Sequence, residues 1–161
     1  MPVVAIKDLK THLPAGSRVI GVDHGEKTLG LALSNPDLTI ATPFRTLDRT
    51  KFTENVRQLA KICAEYNIRG FIFGLPVNMR GDEGSRAESV RHFGNNLLKT
   101  GEILGFEPLI VFWDERLSTA AMERFLIDQA DVSRAKRDTV IDKLAATHIL
   151  QGALDYLRNN P

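Results

Sequence analysis

Cysteine is almost absent from this chain of 161 residues, and its scarcity excludes two kinds of protein. Because Cys63 is the only cysteine, the chain can form neither an intramolecular disulfide nor a cysteine-rich zinc site. Cys63 shares an apolar stripe of helical period with Val56, Leu59 and Ala60. This setting predicts a buried structural thiol rather than a catalytic nucleophile.

Long hydrophobic runs are also missing. No apolar stretch reaches the roughly 20 residues that a membrane-spanning helix requires. The first residues do not include the hydrophobic block of a signal peptide. We therefore expect a cytoplasmic protein that has no membrane partner.

Net charge is low, since 21 Lys and Arg face 20 Asp and Glu for a formal charge of +1. A dedicated nucleic-acid binder is often strongly basic, so this sum does not by itself indicate a polyanionic partner. It does not exclude one, because an active site built of carboxylates cancels nearby basic residues in the sum. The hydrophobic fraction of 43% and the charged fraction of 25% are ordinary for a globular domain.

Periodicity predicts one mixed α/β domain in the order β-β-β-α-β-α-β-α-α, made of residues 18–161 after a short leader at 1–17. Strands are predicted at 18–23, 28–34, 40–47, 70–74 and 108–113. Helices are predicted from Phe52, around Val90 to Leu98, after a cap at Ser118 or Thr119, and over 137–157. The first three strands should form an antiparallel meander, and the later ones should be parallel through right-handed crossovers.

Acidic residues stand at the ends of several of these apolar elements. Asp23 closes the first strand, Asp114 and Glu115 follow the last strand, and Asp142 interrupts an apolar stretch of the final helix. Carboxylates beyond different strand ends can converge in an open α/β sheet. Three of them, with few histidines nearby, would form an oxygen-rich site suited to Mg²⁺ or Mn²⁺ and to phosphodiester hydrolysis.

Each of these acids also has a structural explanation. Asp23 could cap a turn, and Asp142 could pair with a neighbouring basic residue. Asp114 and Glu115 alternate in direction along a strand, so we do not expect both to reach one ion. Pattern alone leaves the metal site and the structural explanation open.

Four segments of the chain, taken together, are more specific. They are Gly21-Val22-Asp23-His24-Gly25 with Gly30-Leu31-Ala32, then Phe73-Gly74-Leu75-Pro76 with Asn78, Met79 and Gly81, then Asp114-Glu115-Arg116-Leu117-Ser118-Thr119, and finally Val140-Ile141-Asp142-Lys143 with Ala145-Ala146. In this order and spacing they resemble the YqgF family of RNase H-like nucleases, also described as Holliday-junction-resolvase-like or pre-16S rRNA nucleases. The resemblance extends over residues 18–157.

The resemblance implies an RNase H-like α/β fold, with a central five-stranded mixed sheet flanked by helices. It implies that the catalytic and metal-binding acids are Asp23, Glu115 and Asp142, with Mg²⁺ or Mn²⁺ as cofactor. The implied role is 5′-end maturation of 16S ribosomal RNA by a monomer or homodimer, with structured RNA and the ribosome or pre-ribosomal particles as partners. His24 departs from the family, which commonly has an apolar or aromatic residue there. It could contact phosphate or metal, but we favour the interpretation of a tolerated histidine of the turn.

Basic residues near the implied site are candidates for phosphate contacts in substrate binding. They are Arg80 and Arg86 in the polar loop 76–86, Arg116 beside Glu115, and Arg134, Lys136 and Arg137 at the start of the last helix. Charged loops are usually only solvated, and Arg116 could equally form an ion pair with Asp114.

Three alternatives to an RNA nuclease stay open. A Holliday-junction resolvase for branched DNA would use the same acids, and a two-fold dimer would favour it. RNA selectivity depends on 2′-hydroxyl contacts that the sequence does not reveal. The spacing Asp23-x-Gly25-x-x-Thr28 is similar to a phosphate loop of actin-like and sugar-kinase-like ATPases, although those need two such domains. A catalytically silent RNA-binding domain would have no need of all three acids.

Overall fold

The strands form one five-stranded mixed sheet in the order β3-β2-β1-β4-β5. The computed structural model describes residues 3–77, 83–117 and 134–160, and only the backbone for Leu117 and residues 134–143. The strands are β1 Arg18–His24, β2 Thr28–Ser34, β3 Ala41–Asp48, β4 Ile68–Leu75 and β5 Leu109–Asp114. The first three pair antiparallel, whereas β1–β4 and β4–β5 are parallel. The predicted sheet is therefore confirmed.

Helices lie against both faces of this sheet. They are α1 Leu9–His12, α2 Phe52–Tyr66, α3 Ser85–Leu97, α4 Gly101–Leu104 and α5 Arg134–Asn159. The last helix begins three residues before the predicted start, because Arg134, Ala135 and Lys136 are strong helix formers with no breaker among them. The helix predicted after Ser118 or Thr119 falls outside the described residues.

The sheet face toward α5 is built from small residues. Gly21 is so close to α5 that a Cβ added there would lie 2.7 Å from Leu150 Cβ and 3.0 Å from the Ala146 carbonyl oxygen. The Gln151 side chain fastens α5 to the start of β3, accepting from Ala41 N at 2.8 Å and donating to the Thr39 carbonyl at 3.0 Å. Within the described ranges, no helix is both long and apolar enough to cross a membrane.

The opposite face, toward α2, α3 and α4, is packed with aromatic rings. Phe73 is fully buried, and its ring centroid lies 5.9 Å from that of Phe93 and 6.0 Å from that of Phe112. Cys63 of α2 is also fully buried in this core, which confirms the prediction of a structural thiol. Burial raises the pKa of the Cys63 thiol to about 12, so the thiol stays protonated at neutral pH.

The N-terminal residues cover the free edge of β5. Val4 N donates to the Ile110 carbonyl oxygen at 2.9 Å, and Val3 forms a parallel bridge with Ile110. Leu9 is fully buried in the core on the α5 side. The segment predicted as a leader thus packs on the sheet and occupies an edge that would otherwise expose unpaired backbone groups.

Candidate active site

Asp23 lies near the carboxyl end of β1, on the sheet face that carries α5. Strand residues alternate between faces, and Val19 and Gly21 of the same strand both pack on the α5 side. Asp23 is only 5% exposed. A carboxylate this deeply buried in a sheet must be stabilised by hydrogen bonds, by a positive charge or by both.

Glu115 approaches the same end of the sheet from β5. It begins the short 3-10 segment Glu115–Leu117, and its Oε1 lies 3.1 Å from the position that a Cβ on Gly74 would occupy. Val22 pairs with Phe73, so Asp23 and Gly74 are the next residues on two neighbouring strands, which lie ~4.8 Å apart in a sheet. The Glu115 carboxylate therefore extends over β4, the strand beside Asp23.

Asp142 belongs to α5, one helical turn before Ala146, but its side chain lies outside the described residues. Among the side chains that are described, no group of three or more His, Cys, Asp or Glu is arranged to hold a metal ion. Because the predicted site needs Asp142 as its third ligand, the complete set stays a prediction.

Asp114 differs from Asp23 and Glu115 in that its carboxylate forms an ion pair with Arg116. The Arg116 Nη2 lies 2.7 Å from Asp114 Oδ2, its Nε lies 3.1 Å from both carboxylate oxygens, and its backbone N–H donates to Oδ1 at 2.9 Å. The guanidinium hydrogen bonds hold the pKa of Asp114 below its usual value. The ion pair that the sequence left open is thus present, and Arg116 stays a candidate for substrate binding only as a proposal.

Of the other candidate basic residues, the structure describes the side chain of one. Arg86 is exposed in the first turn of α3. The remaining candidates fall outside the described residues or, in α5, outside the described side chains: Arg80, Arg134, Lys136 and Arg137.

His24 differs from the sequence interpretation. It is the last residue of β1 rather than part of the turn, and alternation puts it on the aromatic face, where its ring centroid is 5.0 Å from that of Phe93. His24 is 6% exposed, and its Nε2 has no hydrogen-bond partner among the described residues. Burial, followed by the positive charges of Arg49 and Arg86, lowers the His24 pKa to about 4, so the ring is neutral at pH 7.

A cavity of about 150 Å³ opens beside His24, on the side of the sheet away from Asp23. Its lining residues are His24, Gly25, Glu26, Arg49, Ser85, Arg86 and Ser89. Arg49 is a lining residue that is not among the candidates predicted from sequence. The predicted meander could have located it, because a meander pairs the start of β2 with the end of β3. Thr28 pairs with Asp48, and residue 49 therefore lies beside the β1–β2 turn.

Comparison with known proteins decides the family. A family model described as "RuvX: Holliday junction resolvase" matches residues 17–156. The chain belongs to the RuvX family. This is the family, also called YqgF, that the four sequence segments resemble, so membership confirms the prediction of a nuclease and favours it over a phosphotransferase.

Two relatives show how closely this RuvX chain matches named proteins. A protein of Rhodospirillum centenum named "Putative pre-16S rRNA nuclease" is 51% identical over 158 residues, which cover 98% of this chain and 84% of that protein. A protein of the same name from Caulobacter vibrioides is 48% identical over 158 residues, which cover 98% of this chain and 99% of that one.

Among solved structures, RuvC of T. thermophilus in complex with a Holliday junction substrate is similar to this RuvX chain. The TM-score is 0.53 and the identity is 10%, over 89% of this chain and 97% of that chain. At this identity the likeness concerns the fold alone. The predicted RNase H-like fold is therefore confirmed.

Proposed function

We propose that this RuvX chain is a metal-dependent endonuclease that hydrolyses phosphodiester bonds during 5′-end maturation of precursor 16S ribosomal RNA in the cytoplasm. Its proposed catalytic and metal-binding residues are Asp23, Glu115 and Asp142. The observation that carries the site is the arrangement of Asp23 and Glu115 on one face and at one end of the sheet. The names of the two relatives support the choice of RNA substrate.

The available donors fit a hard divalent cation. Asp23 and Glu115 supply only carboxylate oxygens, which Mg²⁺ and Mn²⁺ prefer over nitrogen or sulfur ligands. Asp23 is almost fully buried, so a cation beside it would offset the cost of keeping its charge out of water. Asp142 is included because it stands one turn before Ala146, the residue whose carbonyl approaches Gly21 on β1.

The chain's own residues would orient the reaction. Mg²⁺ or Mn²⁺ held by these acids would supply an activated water and would stabilise the leaving oxygen in phosphodiester hydrolysis. Asp23 belongs to β1, which is hydrogen-bonded to β2 on one side and to β4 on the other. The backbone that carries the Asp23 carboxylate is therefore rigid. Glu115 follows β5 directly. Its carboxylate lies over Gly74, where the absence of a side chain leaves room for it.

The first experiment neutralises one acid without changing its size. Asp23→Asn should lower Mn²⁺- or Mg²⁺-dependent cleavage of precursor 16S rRNA at least a hundredfold, while circular dichroism and the melting temperature show an intact fold. Asp37→Asn is the matched control, because Asp37 is an exposed residue of the β2–β3 turn, at the opposite end of the sheet. Full activity of the Asp23 variant would refute the proposed site.

A second candidate function is resolution of branched DNA, which the description of the matching family favours. Wild-type protein should therefore be incubated in parallel with precursor 16S rRNA and with a synthetic four-way DNA junction, each with Mn²⁺ and with a chelator. Faster metal-dependent cleavage of the RNA supports the proposed function. Preferential, symmetric cleavage of the junction by a dimer would replace it with the resolvase.

A further inference from the structure

Two side chains that follow each other on β1 serve opposite faces of the sheet. Asp23 lies on the α5 face, and His24 lies on the aromatic face and lines the cavity at the amino end of α3. Their Cα atoms are ~3.8 Å apart, as in any trans peptide. A ligand seated in this cavity would therefore be close to the carboxylates, but on the other side of the strand end.

Positive charge is concentrated in the cavity. Arg49 and Arg86 both line it, together with His24. Arg86 is exposed and has no hydrogen-bond or ion-pair partner among the described residues. Glu26 is the single carboxylate among the described lining residues, so formal charge favours an anionic ligand.

Arg49 is already oriented for such a ligand. Its Nη1 donates to the Gly25 carbonyl oxygen at 2.8 Å and to that of Glu26 at 3.4 Å. The backbone of Arg49 is also fixed, since its N–H donates to the Lys27 carbonyl at 2.8 Å. Nη1 contacts the turn, whereas Nε and Nη2 make no hydrogen bond within the described part of the chain. These two nitrogens form the fork with which a guanidinium group binds phosphate.

The amino end of α3 adds neutral donors. Its first intrahelical bond runs from Glu88 N to the Gly84 carbonyl at 3.1 Å, so the amides of Ser85, Arg86 and Ala87 precede the helical ladder. The N-cap residue Gly84 has no side chain with which to occupy them. Ser85 and Ser89, which both carry a hydroxyl, line the same cavity. Amides at a helix start together with basic side chains are the usual donors for phosphate.

His24 gives an independent reason to expect a ligand. It is more than nine-tenths buried, it lines the cavity, and its Nε2 has no partner among the described residues. A buried polar atom without a partner is uncommon in a folded protein, and a bound oxygen ligand would satisfy it after a small shift of the ring.

We propose that this cavity binds a phosphate group, and that the group is a phosphodiester of the nucleic-acid strand one or two nucleotides away from the bond that is cut. The identification of this phosphate as part of a nucleic-acid strand rests on the proposed function. The prediction that the cavity binds phosphate does not depend on it. Arg86 and Arg49 are the principal ligands, with the α3 amides and the two serine hydroxyls around them. The site positions the strand on one side of β1 while the carboxylates act on the other.

The first experiment titrates metal-free full-length protein with inorganic phosphate and follows backbone amide resonances by NMR. Saturable shifts are expected at Gly25 and at Ser85 to Ala87. Arg86→Ala should weaken binding about tenfold, as loss of one charged hydrogen bond would. Arg57→Ala is the matched control, because Arg57 is an exposed arginine of α2 that is not among the lining residues, and it should leave the affinity unchanged. Absence of shifts, or equal affinity in the Arg86 variant, overturns the phosphate site.

The second experiment identifies the source of the phosphate, again without metal so that cleavage is not involved. Substrate oligonucleotides that carry one neutral methylphosphonate at successive internal positions are tested for binding by fluorescence anisotropy, beside oligonucleotides with and without a 5′-phosphate. One sensitive internal position in wild-type protein, lost in Arg86→Ala, supports the proposal. Sensitivity only to the 5′-phosphate, or to no position, overturns it. Neither result depends on Asp23, so failure here and failure of the nuclease site are distinguishable.

Discussion

The two faces of the sheet are packed by different means. Toward α5 the contacts are made by glycine and alanine, including Gly21, Gly74 and Ala146, so the helix backbone comes close to the strands. Toward α2 and α3 they are made by phenylalanine rings around Phe73 and Phe93. One face is therefore limited by how near a backbone can approach, and the other by how well large rings fill space.

This difference also separates the chemistry at the end of β1. The close-packed face leaves room for short carboxylate side chains, Asp23 and Glu115, near a rigid backbone. The aromatic face ends in His24, whose ring contacts that of Phe93 at a tilted angle of 58° beside the arginine-lined cavity. The end of a single strand thus has the proposed cation site on one side and the proposed phosphate site on the other.

If ring packing governs the aromatic face, deleting a ring there should be the most costly change. Phe73→Ala removes a fully buried ring that contacts three other phenylalanines. We expect the free energy of unfolding to fall by about 3–5 kcal/mol, from lost burial and the cavity that remains. Urea denaturation measures the change.

Phe106→Ala is the matched control for that experiment, since Phe106 is only partly buried and packs at the margin of the same core. It should cost clearly less than Phe73→Ala. Equal losses for the two variants would mean that the rings do not form the critical packing of this face.

The α5 face should respond in the opposite way, with a penalty for added atoms. In Gly21→Ala the new methyl would meet Leu150 Cβ at 2.7 Å and the Ala146 carbonyl at 3.0 Å. Neither atom can move away by a change of rotamer, so α5 itself must shift. We expect a loss of about 1–3 kcal/mol in unfolding free energy, as for other overpacked cores.

Gly101→Ala tests whether any new methyl is harmful. Its nearest neighbour would be the Phe106 carbonyl at 3.6 Å, an ordinary contact, and its backbone is already helical with φ −53° and ψ −34°. This variant should be neutral or more stable by up to ~1 kcal/mol. If Gly21→Ala were equally harmless, close approach of α5 could not be what shapes that face.

The sheet could be predicted from sequence because its signals are local. Alternating and all-apolar runs located β1 to β5, and the turns between the first three strands fixed their antiparallel order. The position of His24 was harder to predict, because the exact end of β1 depends on its pairing with β2. His24 belongs to the strand since it pairs with Leu29. Arg49 was missed for a similar reason, since its neighbours in the cavity come from two other segments, the β1–β2 turn and the start of α3.

The acidic residues also differ in how far local sequence patterns predict their positions. Asp23 is predictable as a strand-end residue, and alternation along β1 determines its face. Convergence with Glu115 depends on the register of β4 and β5 and on the missing side chain of Gly74, which no local pattern specifies. The contribution of Asp142 stays a prediction.

The smallest effect should come from Asp114, the strand-end acid that is not proposed as a metal ligand. Asp114 forms an exposed bidentate pair with Arg116, and such pairs contribute about 0–1 kcal/mol to stability. Asp114→Asn, Arg116→Met and the double variant form a thermodynamic cycle that isolates their coupling. Because the guanidinium lowers the Asp114 pKa below its usual 3.8, the coupling should be fully present above pH 5 and lost as pH falls through the folded-state pKa. A coupling that persisted in acid, or exceeded about 2 kcal/mol, would contradict the description of Asp114 and Arg116 as an exposed ion pair.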